Sequence, residues 1–284
     1  MPYGDVSAND DRAVSVRIAG YKGWMISSYH SEKFLGHLRS FLLQEKDLPK
    51  PVKVSQTSQV YRWPDEKGAM YVKKYRCAGL KLFIQTLLQV NRAQKSWRTG
   101  RYLLTRGIPT PQPVFYIQRR VSVFKSEHIV ATLEVQNSQS LRDYVNSNFS
   151  ENRLTRGEKD KFISHAAEFL ACLHRVGVYH GDLTARNILV APRENGSGER
   201  LFLIDLDAIR STGWISRRRR IKNLDELGRN FLHLKVVSTY DRARFLKNYL
   251  QVYQREKKSF KCFFQDVRQR TLRRLVKHGQ RFTT

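Results

Sequence analysis

The sequence predicts an α+β protein in which a small antiparallel sheet, spread over residues 52–133, precedes a mainly helical second half. Three observations predict it. Short apolar runs bounded by turn residues crowd the first segment: VKVSQ, SQVYRW, AMYVKKY, VFYIQR, VSVFK and HIVATLE. After it, apolar residues recur at helical spacing. The chain has 284 residues, of which 40% are hydrophobic, enough for one large domain or two lobes around a cleft.

Element by element, SEKFLGHLRSFLLQEK sets Phe34, Leu35, Leu38, Phe41 and Leu42 on one helical face, and Pro49 and Pro51 stop it. Residues 1–51 are therefore expected to be an N-terminal extension carrying an amphipathic helix. PDEKG between SQVYRW and AMYVKKY reads as a hairpin turn. RAQKSWRTGRYLLTRG reads as a helix ended by Gly107, and IPTPQPV leads back into strands. From residue 134 to 284 the chain is expected to form the second lobe. Its first long helix opens with Thr155 and Glu158 in capping-box spacing, then repeats Phe162, Ala166, Phe169, Leu170 and Leu173. Two apolar strands follow, NILVA and RLFLIDL, separated by the turn-rich PRENGSGE. At the C-terminus Phe260, Phe263, Phe264, Val267, Leu272 and Leu275 form a face that packs on the lobe, with interfacial membrane binding as the other reading.

The charge is far from that of an ordinary enzyme. Lys and Arg number 52 against 25 Asp and Glu, a net +27, and residues 210–284 alone hold 21 against 5. Such a surface suits polyanions: nucleic acid, anionic headgroups or phosphorylated ligands. Cys77, Cys172 and Cys262 are scattered, without metal-site spacing, as in a reducing compartment. The N-terminal stretch lacks a signal-peptide pattern, and no run approaches about 18 apolar residues, so the expectation is a soluble or peripheral protein.

The stretch HGDLTARNILV concentrates chemistry. Asp182 and Asn187 sit on a loop between helix and strand, and Asp205 ends the partner strand, so the three meet if the strands lie side by side. Mg²⁺ takes one or two protein oxygens plus substrate phosphates, which suits Asn187 and Asp205 and leaves Asp182 to orient a hydroxyl. Each motif alone reads as turn chemistry. Together they form a phosphoryl-transfer layout.

These residues resemble the protein-kinase-like fold, where an HxD aspartate is followed five residues later by a metal-binding Asn, and a second metal Asp follows a strand pair. The resemblance implies a two-lobed molecule using ATP and Mg²⁺. Asp182 and Arg186 are then catalytic, Asn187 and Asp205 hold metal, and Lys73 grips the α/β-phosphates. Glu134 and Val135, in ATLEVQ, face adenine through their backbones. YVKKYR, WRTGRYLLTRGIPTPQP, IDLDAIR and RRRRIKNLDELGRN resemble the Kdo/WaaP lipopolysaccharide kinase family, and YVKKYR favours Lys73 over Lys74. That family implies transfer of phosphate to a heptose or Kdo hydroxyl of the lipopolysaccharide inner core. It also implies a lipid A glycolipid acceptor and a peripheral place on the anionic cytoplasmic face of the inner membrane. The Arg217–Arg220 run is expected to touch acceptor or membrane.

The chain departs from the kinase pattern at three points. No Asp or Glu lies between Arg76 and Ser126, so the usual helix acid that pairs with the strand lysine is missing, with Ser96 near its place. VSQTSQV replaces a glycine-rich phosphate loop, leaving Ser55, Thr57 and Ser58 as hydroxyl donors. IDLD replaces DFG. Two rivals stand beside the sugar-kinase reading. One is a small atypical protein kinase, whose loops also read HGDLT. The other is a nucleic-acid-binding protein on an inactive kinase scaffold, which the intact Asp182, Asn187 and Asp205 set disfavours.

Overall fold

The computed structural model describes residues 12–43, 50–65, 68–78, 91–122, 125–150, 153–193, 198–234, 236–256 and 259–277. The chain divides into two compact units, Met1–Gln136 and Asn137–Thr284.

The first unit is built on strands β1 (Ala13–Ile18), β2 (Tyr21–Ile26), β3 (Lys53–Val54), β4 (Ser58–Asp65), β5 (Gly68–Ala78), β6 (Pro113–Ser122) and β7 (Lys125–Leu133), with helices α1 (Glu32–Leu43) and α2 (Arg92–Thr105). All seven strands join one antiparallel sheet in the order β1-β2-β6-β7-β5-β4-β3. The sequence reading sets residues 1–51 apart as a helical extension. In the structure β1 and β2 extend the sheet, and α1 buries Phe34, Leu38 and Leu42 in the same core as Phe115 and Val72. The β1 run AVSVRI is only six residues long, so its strand signal is weak until β2 pairs with it. VFYIQR and VSVFK, read as two strands, split differently: β6 runs through to Ser122, and a shift of register between Arg120 and Ser122 carries the extra residue. The PDEKG turn closes on the Asp65–Gly68 pair, and residues 66–67 lie outside the described residues.

The two faces of this sheet are covered by different helices. Phe34 and Phe41 of α1 lie against Phe115, Trp63 and Tyr61. Trp97 of α2 packs on Tyr116, which points the other way from Phe115. Both faces are thereby buried, which is why β6 reads as a continuous apolar run rather than an alternating one.

The second unit holds β8 (Gln139–Ser140), α3 (Leu141–Ser150), α4 (Arg156–Arg175), β9 (Val178–His180), β10 (Ile188–Pro192), β11 (Glu199–Leu203), β12 (Ile209–Ser211), α5 (Arg217–Arg229), α6 (Thr239–Tyr253) and α7 (Phe260–Lys277). The expected capping box starts α4: Thr155 Oγ1 accepts from the Glu158 amide at 3.3 Å, and Glu158 accepts from the Thr155 amide at 2.8 Å. Ser238 and Asp241 repeat the device on α6. NILVA and RLFLIDL pair antiparallel as β10 and β11, while β9 pairs with β12. Phe263 of α7 is fully buried against Tyr249, so that helix packs on the unit as expected. Among the described residues no helix is long and apolar enough to cross a membrane.

Gly23 in β2 sets how closely that strand approaches β6. A Cβ there would stand 1.9 Å from the Tyr116 carbonyl oxygen, inside backbone that cannot swing away. Gly23→Ala is expected to lower stability by about 1–3 kcal/mol, the usual cost of forcing atoms into a filled space. Urea unfolding followed by tryptophan fluorescence checks this, and an unchanged midpoint would contradict it.

Candidate active site

The loop after β9 is shaped by its own backbone. The Thr184 amide donates to the Asp182 carbonyl and the Asn187 amide to the Thr184 carbonyl, each at 3.0 Å, winding 182–187 into a tight turn. Gly181 lies against the Ala208 carbonyl, which its own amide contacts at 3.0 Å; an added Cβ would stand 2.8 Å from that oxygen. This close approach accounts for a glycine between His180 and Asp182. Asn187 is buried, and its Nδ2 donates to the Asp182 carbonyl at 2.9 Å and to Oδ2 of the Asp182 carboxylate at 3.4 Å. One amide therefore orients the exposed carboxylate. Arg186 projects from the same turn into solvent.

The β10–β11 ladder brings the second acid to this turn. Ile188 pairs with Leu203, and the Ile204 amide donates to the Asn187 carbonyl at 2.9 Å, so Asp205 follows directly beside the loop. Asp205 has φ +60° and ψ +52°, a left-handed conformation uncommon outside glycine and concentrated where function constrains a backbone.

His180 sits beneath these groups, fully buried. Its Nε2 faces the Ile204 carbonyl at 3.1 Å and its Nδ1 the Asp182 amide at 3.2 Å. An amide can only donate, so Nδ1 accepts, Nε2 carries the hydrogen, and the ring is neutral. Burial pushes its pKa down, overriding the Ile204 bond and the pull of the Asp205, Asp182 and Asp207 carboxylates. The turn and the Ile204 amide bond to the Asn187 carbonyl set Asp182, Asn187 and Asp205 on adjoining segments around this ring. Among the described residues no three His, Cys, Asp or Glu side chains form a metal cage by themselves. A hard cation that also binds phosphate does not need one, and the Asp205 carboxylate with the Asn187 amide oxygen is a donor pair that could hold it.

The loop is held from below by a residue that sequence reasoning did not single out. Asn223, fully buried in α5, takes both polar backbone groups of His180. The His180 amide donates to Oδ1 at 3.2 Å, and Nδ2 donates to the His180 carbonyl at 2.6 Å. This fixes which way the amide points, so the second contact to Oδ1, from His174 Nε2 at 3.3 Å, must be a donation. His174 Nδ1 then accepts from the Tyr249 hydroxyl at 2.8 Å. Asn223 stands in the quoted run RRRRIKNLDELGRN, but only the third dimension shows that it faces β9.

In the first unit, the two candidate lysines of β5 point to opposite faces. Lys74 follows Val72 onto the α1 face, where Tyr61 and Phe115 lie, and its Nζ is 4.0 Å from Glu127. Lys73 pairs in register with Val60 and Val130, and Val130 pairs with Tyr116, so Lys73 lies on the α2 face. Glu127 of β7 is an acid that faces Lys74. Burial works against its ionisation, but hydrogen bonds from Tyr21 at 2.5 Å and Arg119 at 2.7 Å, with Lys74, hold its pKa below the usual range. Ser96 is buried on α2. Glu134 is bound by Arg62 at 2.8 and 2.7 Å and by Tyr71 at 3.2 Å, while its amide donates to the Ala69 carbonyl at 2.9 Å. Its carbonyl is what it could offer a base; Val135 follows it as the strand ends. Ser55 and Ser58 hydroxyls contact each other at 2.9 Å across the β3–β4 turn, and the Thr57 hydroxyl accepts from Arg92 of α2 at 3.3 Å.

His174 is completely enclosed, and burial depresses its pKa to about 3 despite the Asn223 bond. Between that value and the ordinary 6.5 the unfolded chain binds the extra proton, so stability is lost as pH falls below 6.5. One such group should cost about 2 kcal/mol between pH 7 and pH 5. Urea midpoints at the two pH values should differ less in His174→Gln than in the parent; equal differences would remove His174 from the pH response.

The family model described as the lipopolysaccharide kinase (Kdo/WaaP) family matches residues 56–249. No curated protein sequence matches the chain closely enough to stand as a relative. Among solved structures, one described as WaaP in complex with acyl carrier protein superposes with a TM-score of 0.61 at 20% identity, covering 80% of this chain and 88% of that one. The likeness shows a kinase-like fold. The family match spans well over half of the chain and includes the 180–187 turn, Asp205 and Asn223: this protein belongs to the lipopolysaccharide kinase (Kdo/WaaP) family, a family of phosphotransferases.

Proposed function

We propose that the protein transfers the γ-phosphate of ATP, with Mg²⁺, to a heptose or Kdo hydroxyl of the lipopolysaccharide inner core, at the cytoplasmic face of the inner membrane. The observation that carries this reading is the convergence of Asp182, Asn187 and Asp205 around neutral His180, within a chain of this family. Asp182, aimed by Asn187, accepts the proton of the sugar hydroxyl as its oxygen bonds to the γ-phosphorus. The bond to the β-γ bridging oxygen breaks, and ADP leaves with the electron pair. Asn187 and Asp205 hold the cation, which neutralises phosphate charge when bound. Arg186, whose guanidinium makes no ion pair with a described residue, steadies the transferred group. Lys73 takes the α/β-phosphates, and the backbones of Glu134 and Val135 take adenine.

The left-handed backbone of Asp205 and the bond of the Ile204 amide to the Asn187 carbonyl support a metal role, since together they hold the Asp205 backbone beside the Asn187 turn. The side assignment of Lys73 supports its role, because Lys74 is already engaged by Glu127 on the α1 face.

Transfer of labelled phosphate from ATP to a panel of core oligosaccharides tests the reading; transfer to protein substrates and to no sugar would sink it. Asp182→Asn is expected to slow the chemical step by roughly 10²- to 10⁴-fold, the range for losing a positioned acid-base group, with ATP affinity kept. Near-full turnover in that variant would remove Asp182 from the mechanism. Lys73→Ala should weaken ATP binding at least tenfold, whereas Lys74→Ala should leave ATP affinity near the parent value and instead lower the melting temperature by breaking the Glu127 pair. The reverse pattern would transfer the phosphate role to Lys74.

A further inference from the structure

Where α5 begins and α7 ends, the second unit opens a cavity of about 590 Å³. Its lining carries five guanidinium groups, from Arg217, Arg218, Arg270, Arg273 and Arg274, against the one carboxylate of Asp266. The run Arg217–Arg220, read in sequence as one basic patch, is divided here. Arg220 is buried against Glu256 at 2.8 Å and lies over the Tyr253 ring, and Arg219 lies over Tyr179. Arg217 pairs with Glu256 and Asp266, and Arg270 with the fully buried Asp225 at 3.3 Å. These pairs fix two walls of the cavity. Arg218, Arg273 and Arg274 make no ion pair or hydrogen bond with any described residue, yet all three line the same space.

This arrangement opposes the fold. Arg217 and Arg218 lie in the first turn of α5, whose macrodipole end favours anions, and that turn has no acid. Arg270 and Arg274 add a like-charged pair one turn apart on α7. An anion bearing several phosphate oxygens would relieve both, because planar guanidinium forks bind such oxygens two at a time. The volume suits a sugar carrying more than one phosphate rather than a single ion. Two exposed apolar side chains close in sequence to the lining residues suit a membrane. Trp214, two residues before the α5 cap, is 63% exposed, and Val276, two residues after Arg274, is 79% exposed.

We propose that this cavity is a binding site for a multiply phosphorylated glycolipid headgroup, separate from the phosphate-transfer site. The proposal rests on the glycolipid reading above and deepens it. The same helix that presents Arg217 and Arg218 clamps His180 through Asn223, six residues on, roughly 9 Å along the axis. A headgroup held by its phosphates is thereby registered against the Asp182 turn by one rigid element.

The test is binding without ATP, so its result is independent of turnover. Full-length protein is co-sedimented with phosphatidylcholine vesicles containing diphosphoryl lipid A, with vesicles containing the dephosphorylated lipid, and with vesicles containing phosphatidylglycerol. Arg273→Gln with Arg274→Gln should weaken capture of the diphosphoryl vesicles at least tenfold. Neither side chain bonds to a described residue, so the fold should survive, and an unchanged melting curve confirms it. Arg268→Gln with Lys247→Gln removes the same charge from exposed positions outside the cavity and should change capture less than twofold. Equal loss in the two double variants would reduce the effect to bulk charge and overturn the site. So would parent-like capture by the Arg273 and Arg274 variant, or equal capture of phosphatidylglycerol vesicles. Cavity-dependent binding of inorganic pyrophosphate or of single-stranded RNA, without capture of the diphosphoryl vesicles, would overturn the glycolipid as its ligand. Cavity-dependent capture in a protein that phosphorylates no sugar would leave the site standing and reject the kinase reading alone.

Discussion

Two hydrogen bonds at one buried side-chain amide hold the segment that leads into Asp182 and Asn187. Asn223 satisfies both the amide and the carbonyl of His180, groups that would otherwise be buried without partners beside β9. A buried backbone pair left open costs several kcal/mol in total, so the loop cannot drift from α5 without a large penalty. His180 in turn supports the Asp182 amide on one ring nitrogen and the Ile204 carbonyl on the other. The position of the acid and the position of the strand that carries Asp205 are therefore set by one imidazole. That imidazole must stay neutral to do it, and its burial ensures this.

The clamp continues away from the loop. His174, Tyr249 and Arg220 extend it through the interior, and Glu256 joins Arg220 to Arg217. Arg220 over the Tyr253 ring shows how so basic a chain keeps a core: charges that enter it are stacked on aromatic faces and met by one of the few acids. Asp225, wholly buried, serves Arg229, Arg270 and the Thr271 hydroxyl in the same way. The five acids of residues 210–284 are all engaged in such contacts, while Arg218, Arg273 and Arg274 line the cavity beside them.

In the first unit the burial of both sheet faces decides the roles of two adjacent lysines. Val72 and Lys74 share a face with α1, and Lys73 shares the other with α2, because strand side chains alternate. Glu127 reaches Lys74 from the neighbouring strand β7 rather than from a helix. It brings Tyr21 of β2 and Arg119 of β6 into the same cluster. The strands at the N-terminal edge are thereby tied to the centre of the sheet by a polar contact as well as by packing.

The kinase-like arrangement was legible in the sequence because its signals are local or have fixed spacing. The Thr155 capping box, the HGDLTARN turn, the paired apolar runs and Asp205 at their end each follow from residue type and separation, and the structure places them as that spacing requires. The family resemblance lies in other stretches, YVKKYR, WRTGRYLLTRGIPTPQP, IDLDAIR and RRRRIKNLDELGRN, of which only IDLDAIR includes Asp205. What stayed hidden depends on which surfaces meet. β1 and β2 carry weak strand signals and become strands by pairing with each other and, through β2, with β6, and Glu127 meets Lys74 only through register. Asn223 is an ordinary polar helix residue until α5 is laid across β9. The Arg217–Arg220 run has one composition but several environments, because a helix turns each successive side chain by about 100° toward a different neighbour. Sequence therefore determined the chemistry available and its order along the chain. Packing decided which of those groups are clamped, which are neutralised and which are left facing a ligand, because burial and partner distance belong to the folded chain and not to any segment of it.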